Sequence, residues 1–170
     1  YIRPGMTEKQ IAREIDYFYY KHSEGLSFDT IVASGENSSK PHAVPTDRRI
    51  QENDVITIDM GCKINGYCSD MTRTIFVGKV PDEVKPVYDL VLKNQEQVLQ
   101  DMKDNANTKQ ISKMVDNDFR LNNYDLIHAL GHGVGLDIHE GPVLSINSES
   151  VLRENMVVTD EPGIYVAGQF

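Results

Sequence analysis

The sequence predicts an α+β fold, and three observations carry that prediction. Apolar runs rich in strand formers at 55–60 and 72–77 flank an Asn65-Gly66 pair, the strongest short-range signal for a two-residue hairpin turn. A capping box, Thr7-Glu8-Lys9-Gln10, opens an amphipathic helix. Helix then strands in residues 1–78, and helices then strands in 80–170, make a coarse duplication without an exact sequence repeat. Short antiparallel strands with helices grouped between them point to α+β and away from a doubly wound parallel sheet. At 170 residues the chain is one domain by length, large enough to bury a core, and no low-complexity linker marks a boundary.

The elements follow in order. After the capping box, Ile11, Ile15, Phe18 and Tyr19 repeat at helical spacing, so the first helix runs to about Gly25. Phe28 to Ala33 reads as a short apolar strand, followed by a polar loop from Ser34 to Lys40. In Pro41-His42-Ala43-Val44-Pro45 a proline on each side stiffens the loop that carries His42. Asp82 precedes a second helix bearing Val87, Leu90, Val91 and Val98. A third, weaker helix spans about Thr108 to Phe119. From Tyr124 onward, glycine and histidine dominate and the chain reads as strands and loops.

The hairpin places two carboxylates. Centring the turn pairs Ile64 with Tyr67, Gly61 with Asp70 and Asp59 with Thr72. Side chains alternate faces, so Asp70, Thr72 and Asp59 share one face, with the two aspartates diagonal and roughly 7–8 Å apart at the backbone. That spacing suits a pair of ions about 3.5–4 Å apart, and a one-residue slip would destroy it. Aspartate is depleted in strands, and Ile56, Ile58, Ile75, Phe76 and Val77 surround these two. Unpaired carboxylates there are costly, so something positive has to neutralise them: metal ions, or Arg73 as the competing partner for one. The bland alternative is a pair of solvent-facing strand aspartates in an acidic protein.

Composition narrows the partners. A net charge of −9 and a pI near 4.9 argue against nucleic acid or an anionic membrane surface, both of which require a basic face. No apolar run is long enough for a transmembrane helix and no basic-then-apolar leader opens the chain, although it starts at Tyr1 without a methionine, which weakens the second point. Cys62 and Cys68 both fall in the hairpin and on opposite faces of it, so a cross-strand disulfide is not expected. Free thiols suit a reducing cytoplasm, and two are too few for a thiolate metal site.

Three of the five histidines lie in His128-Ala-Leu-Gly-His132-Gly-Val-Gly-Leu-Asp-Ile-His139-Glu140. A single histidine is more often a satisfied core or surface residue than a ligand. Gly131, Gly133 and Gly135 shift that balance, because glycines permit close approach of a ligand or ion. Their spacing fits no phosphate-binding fingerprint, and no H-E-x-x-H occurs. Glu161-Pro162-Gly163 follows the apolar run Met156-Val157-Val158 and on its own is explained by a turn at a strand end.

Taken together, Ile58-Asp59-x-Gly61, Gly66-Tyr67-x-x-Asp70-x-Thr72-Arg73-Thr74, His128-x-x-Gly-His132-Gly-x-Gly135-Leu-Asp-x-His139-Glu140 and Glu161-Pro162-Gly163 resemble the pita-bread metallopeptidases. Within them the chain is most similar to the Xaa-Pro peptidases, aminopeptidase P and prolidase. The resemblance runs from Pro4-Gly5-Met6-Thr7-Glu8 to the C-terminus and includes Ser34-Gly35-Glu36-Asn37 and the Pro41-His42 loop.

The resemblance implies a pita-bread sheet with helices outside and pseudo-duplicated halves. It implies that Asp59 binds one metal, Asp70 bridges two, His132 binds the second and Glu161 contacts the metal centre. Carboxylates with one imidazole suit manganese first, and also cobalt or zinc. Glu161 would take the proton of an activated water and pass it to the leaving amine. His42 and His139 match histidines that orient substrate and stabilise the oxyanion. His128 falls behind the ligands and Tyr165 along the site. The implied reaction is hydrolysis of the bond between an N-terminal residue and proline, on peptides with proline second, in a cytoplasmic and homodimeric parent protein.

The family pattern also has a further bridging glutamate on a strand beyond Phe170, and an N-terminal domain before Tyr1. Residues 1–170 are therefore expected to be an incomplete catalytic domain, inactive alone, with the closing strand lacking. Methionine aminopeptidase shares the metal scheme, but Thr72-Arg73-Thr74 and Gly135-Leu136-Asp137-x-His139-Glu140 are closer to the proline branch. A non-catalytic pita-bread module that binds peptide or protein is the alternative from another class, and a metal-free amidinohydrolase like creatinase a third. Both of the latter would dispense with metal ligands that this chain retains.

Overall fold

Thr7 opens the first helix as its capping box predicts: its Oγ1 accepts the Gln10 N–H at 3.1 Å and its own N–H donates to Gln10 Oε1 at 2.8 Å. This is a computed structural model, and it describes residues 1–170. Helix α1 spans Glu8–His22. It stops short of Gly25 because Ser23 caps it, with both the Ser23 N–H and Oγ bonded to the Tyr19 carbonyl at 2.8 and 2.6 Å. The chain divides into two compact units, residues 1–85 with 165–170, and residues 86–164.

In the first unit, α1 lies on a three-stranded antiparallel sheet, β1 (Ile31–Ser34), β2 (Val55–Met60) and β5 (Met71–Phe76), in the order β1-β2-β5. Strand β1 starts three residues later than the apolar run at Phe28, because its ladder with β2 begins at Ile31↔Asp59. The polar stretch after it winds into a short 3₁₀ turn, Gly35–Ser39. Ile11 and Ala12 of α1, with Val32, Ile50, Ile56 and Ile58, form the core. Between β2 and β5 the hairpin narrows to β3 (Lys63–Ile64) and β4 (Tyr67–Cys68), paired Ile64↔Tyr67 across the Asn65-Gly66 turn. Asn65 and Gly66 both have positive φ, as a primed hairpin turn requires. Cys62 and Cys68 form no disulfide.

The second unit contains α2 (Lys85–Asp101, from Pro86 onward), α3 (Thr108–Leu121), β6 (Gly131–Gly133) and β7 (Glu140–Leu144), the two strands antiparallel. Helix α3, expected to be weak, buries a full stripe: Ile111, Val115 and Phe119 meet Val98, Leu130, Leu144 and Leu152 in the core. The other edge of β6 is taken by the extended segment 157–161. The N–H of Thr159 donates to the His132 carbonyl at 2.8 Å, and that of Glu161 to Leu130 at 3.0 Å.

The duplication is real, and a short exact repeat accompanies it, contrary to expectation. Lys9-Gln10-Ile11 recurs as Lys109-Gln110-Ile111, after N-caps Thr7 and Asn107 that accept from Gln10 N and Gln110 N, each at 3.1 Å. Ile50 and Leu152 each exchange backbone bonds with the residues before those caps. Asn53 and Asn155, both at positive φ, then lead into β2 and the 157–161 segment. Counted from Asn53 and Asn155, Asp59 falls on Glu161. No helix is long and apolar enough to cross a membrane.

Candidate active site

The first unit holds His42, Asp59, Asp70 and Tyr165; the second holds His128, His132, His139 and Glu161. Asp59 sits on the middle strand, between Ile31 and Thr72, in the register expected from the turn. Thr72 Oγ1 donates to its Oδ1 at 2.9 Å. Asp70 precedes the first residue of β5, at the break between the two sheets. That break depends on Gly61: a Cβ there would collide with the Ser69 carbonyl and with the ring of Phe28 at 2.8 Å, so only glycine allows the two segments of the hairpin to pass so closely. Arg73 registers with Ile58, on the other face from Asp59, and bonds the Thr72 carbonyl at 2.8 Å. His42 is exposed at the tip of its proline-flanked loop.

In the second unit, β6 and the 157–161 segment bring His132 and Glu161 together, with His132 Nε2 3.2 Å from Glu161 Oε1. Gly131 permits this, since any Cβ would strike the Thr159 carbonyl of the neighbouring segment. Thr159, to which sequence reasoning assigned no role, organises the pair. Its Oγ1 accepts the His132 N–H at 2.9 Å and donates to Glu161 Oε1 at 2.7 Å. The His139 ring stands edge-on to that of His132, centroids 4.5 Å apart, and is exposed. His128 turns its Nδ1 to the Ala129 carbonyl at 2.7 Å. Glu140, the last residue of the histidine-glycine motif, accepts the Asp137 N–H at 2.9 Å and so closes the loop before it.

The electrostatics favour an ionised Glu161. Burial pushes its pKa up, but the His132 and Thr159 hydrogen bonds and the charges of His132 and His128 outweigh that and hold it below its ordinary value. Its neighbour Asp160 goes the other way: burial and the adjacent Glu161 raise it to about 7.

These donors fit divalent metal ions. His132 Nδ1 lies 2.9 Å from the Gly133 carbonyl, which can only accept, so Nδ1 carries a hydrogen. That leaves Nε2 facing a carboxylate, an arrangement that calls for a positive charge on or between them, either an imidazolium proton or a cation. A ligating histidine with its second nitrogen committed to a backbone carbonyl is the usual form of such a site. No three His, Cys, Asp or Glu side chains converge to hold an ion by themselves.

The fold and this donor set define a metallopeptidase. The chain belongs to metallopeptidase family M24, whose profile matches residues 1–170. It is 40% identical, over 169 residues, to a Xaa-Pro dipeptidase of Pyrococcus furiosus, covering 97% of this chain and 48% of that protein. Among solved structures it resembles an X-Pro aminopeptidase from Thermotoga maritima (44% identity, TM-score 0.94, 99% of this chain and 49% of that one) and prolidase from Pyrococcus furiosus (39% identity, TM-score 0.95, 99% and 51%). The fold is thus the pita-bread fold. The chain spans about half the length of the curated relatives it matches.

Proposed function

We propose that the protein hydrolyses the peptide bond between an N-terminal residue and proline, as a metal-dependent cytoplasmic exopeptidase. The Glu161–His132 pair carries this reading, since its ionised carboxylate and oriented imidazole are poised for a cation and for proton transfer. The names of the Pyrococcus and Thermotoga relatives support the substrate class. Residues 1–170 are read as catalytic-domain sequence. Asp59, Asp70, His132 and Glu161 would hold two divalent ions, manganese first among them. When bound, such a pair supplies Lewis acidity to the scissile carbonyl and lowers the pKa of a water.

The chain's own residues do the rest. Glu161 Oε2, opposite the oxygen held by Thr159 and His132, accepts the proton of that water and returns it to the leaving amine. His139, exposed beside His132, donates a hydrogen bond to the carbonyl oxygen as charge develops on it. His42 orients the substrate, His128 adds positive charge behind Glu161, and Tyr165 lines the site.

The test uses the protein at the length of its relatives. Elemental analysis should find two transition-metal ions per chain, and an Xaa-Pro dipeptide should be cleaved with release of both residues. Asp70→Asn should lower metal content and turnover together, and by more than Asp59→Asn, because Asp70 would neutralise both ions and Asp59 chiefly one. Release of N-terminal methionine alone would assign the methionine aminopeptidase branch. Absence of any bound transition metal would end the hydrolase reading.

A further inference from the structure

Glu8, the first residue of α1, is fully buried, with 0% of its surface exposed. Its carboxylate is saturated. Oε1 accepts the Ser34 N–H at 2.8 Å and Ser34 Oγ at 2.7 Å; Oε2 accepts the Thr46 N–H at 2.9 Å and Thr46 Oγ1 at 2.6 Å. Asn37 Nδ2 lies 3.2 Å from both oxygens. Burial alone would raise its pKa, but the Thr46 and Ser34 bonds hold it below the usual carboxylate range, so it is a buried anion.

Those donors are the two feet of one loop. At one foot, the Asn37 carbonyl accepts Lys40 N–H at 3.1 Å, and the Lys40 carbonyl accepts Ala43 N–H at 3.2 Å. Thr46 is the other foot. Between them Ala43 is buried at 6% exposure and His42 is exposed at the tip. The second unit shows that the fold itself does not need a carboxylate at this helix start. The corresponding residue there, Thr108, is equally buried, and its hydroxyl bonds the Ser150 carbonyl at 3.1 Å and Ser148 Oγ at 3.3 Å. A buried anion is costly, and here every bond it accepts comes from the feet of the loop that carries His42.

We infer that Glu8 is a positioning residue for His42: by binding Asn37 and Thr46 at once, its carboxylate fixes both feet of the loop that presents the imidazole to substrate. This rests on the role given to His42 above.

The experiment uses the protein at the length of its relatives, an Xaa-Pro dipeptide and the variants Glu8→Gln and Thr46→Val, each alone and combined with His42→Ala. Each single variant should keep its metal content and lose about 10–10²-fold in kcat/KM, the scale of a misplaced catalytic group. In the His42→Ala background neither should cost anything further. The His42 ring ¹⁵N resonances should shift in both single variants while those of His22, at the far end of α1, stay in place. Should Glu8→Gln not fold, Thr46→Val alone decides. Equal losses with and without His42, or unmoved His42 resonances, overturn the inference. A wild type that cleaves no Xaa-Pro peptide defeats the proposed function instead, and the resonances still decide whether Glu8 sets His42.

Discussion

Asp160→Asn should stabilise this chain, and the gain should depend on pH. Asp160 follows Thr159 in the extended segment, and both its carboxylate oxygens are buried with no hydrogen-bond partner. Its neighbours compound the cost, since Glu161 beside it is held ionised. The carboxyl is raised from 3.8 to about 7, so the unfolded chain releases this proton near pH 3.8 while the folded chain keeps it until about pH 7. Stability therefore falls as pH rises across that window and is level above it. At about 1.4 kcal/mol for each pH unit, the interval sets a ceiling on the order of 4 kcal/mol. An asparagine escapes this term but buries an amide, at a cost that is the same at every pH. The signature is the difference between conditions: in urea unfolding of the 170-residue chain, the advantage of the variant at about pH 8 should shrink by more than half at about pH 5. An advantage equal at both pH values, or smaller at the higher one, would refute the assignment of an unpaired buried carboxylate.

Two further outcomes follow from the site. Gly61→Ala should destabilise the chain by about 1–3 kcal/mol, because the obstacle to its methyl is the Ser69 backbone and not a movable side-chain end; a neutral result in urea unfolding would mean that the hairpin strands do not pass so closely. His139→Ala, in the protein at the length of its relatives, should keep its metal and its melting temperature, the ring being exposed, while turnover drops on the order of 10²–10³-fold; a folded, fully active variant would remove the residue from the mechanism.

Much of the first unit was legible because its signals are local. A capping box, a primed turn and a period-two alternation each act over a few residues, so the start of α1 and the Asp59↔Thr72 register follow from spacing alone. Element ends were less legible: Ser23 stops α1 before Gly25, and β1 starts at Ile31, where its antiparallel ladder with β2 begins opposite Asp59. The short repeat at Lys9 and Lys109 does not stand out in the sequence either, since only the shared caps and backbone bonds give three matching residues a meaning.

What the sequence determined by itself is the chemistry: the carboxylates, imidazoles and glycines that identify the family stand in order along the chain, and their types alone limit the ions they suit. Tertiary structure decided which of them act on one another. Thr159 bridging His132 and Glu161, the orphaned carboxylate of Asp160, and Glu8 binding both feet of the His42 loop join residues up to 38 positions apart, or depend on which face of a strand is covered. Glu8 shows why this is invisible in one dimension. In the sequence it is an acidic residue in the first turn of a helix, a place where the macrodipole welcomes negative charge on any protein surface; only the packing of β1 and the loop over it makes the same carboxylate a buried anchor, because burial and hydrogen-bond saturation belong to the whole chain and not to the residue.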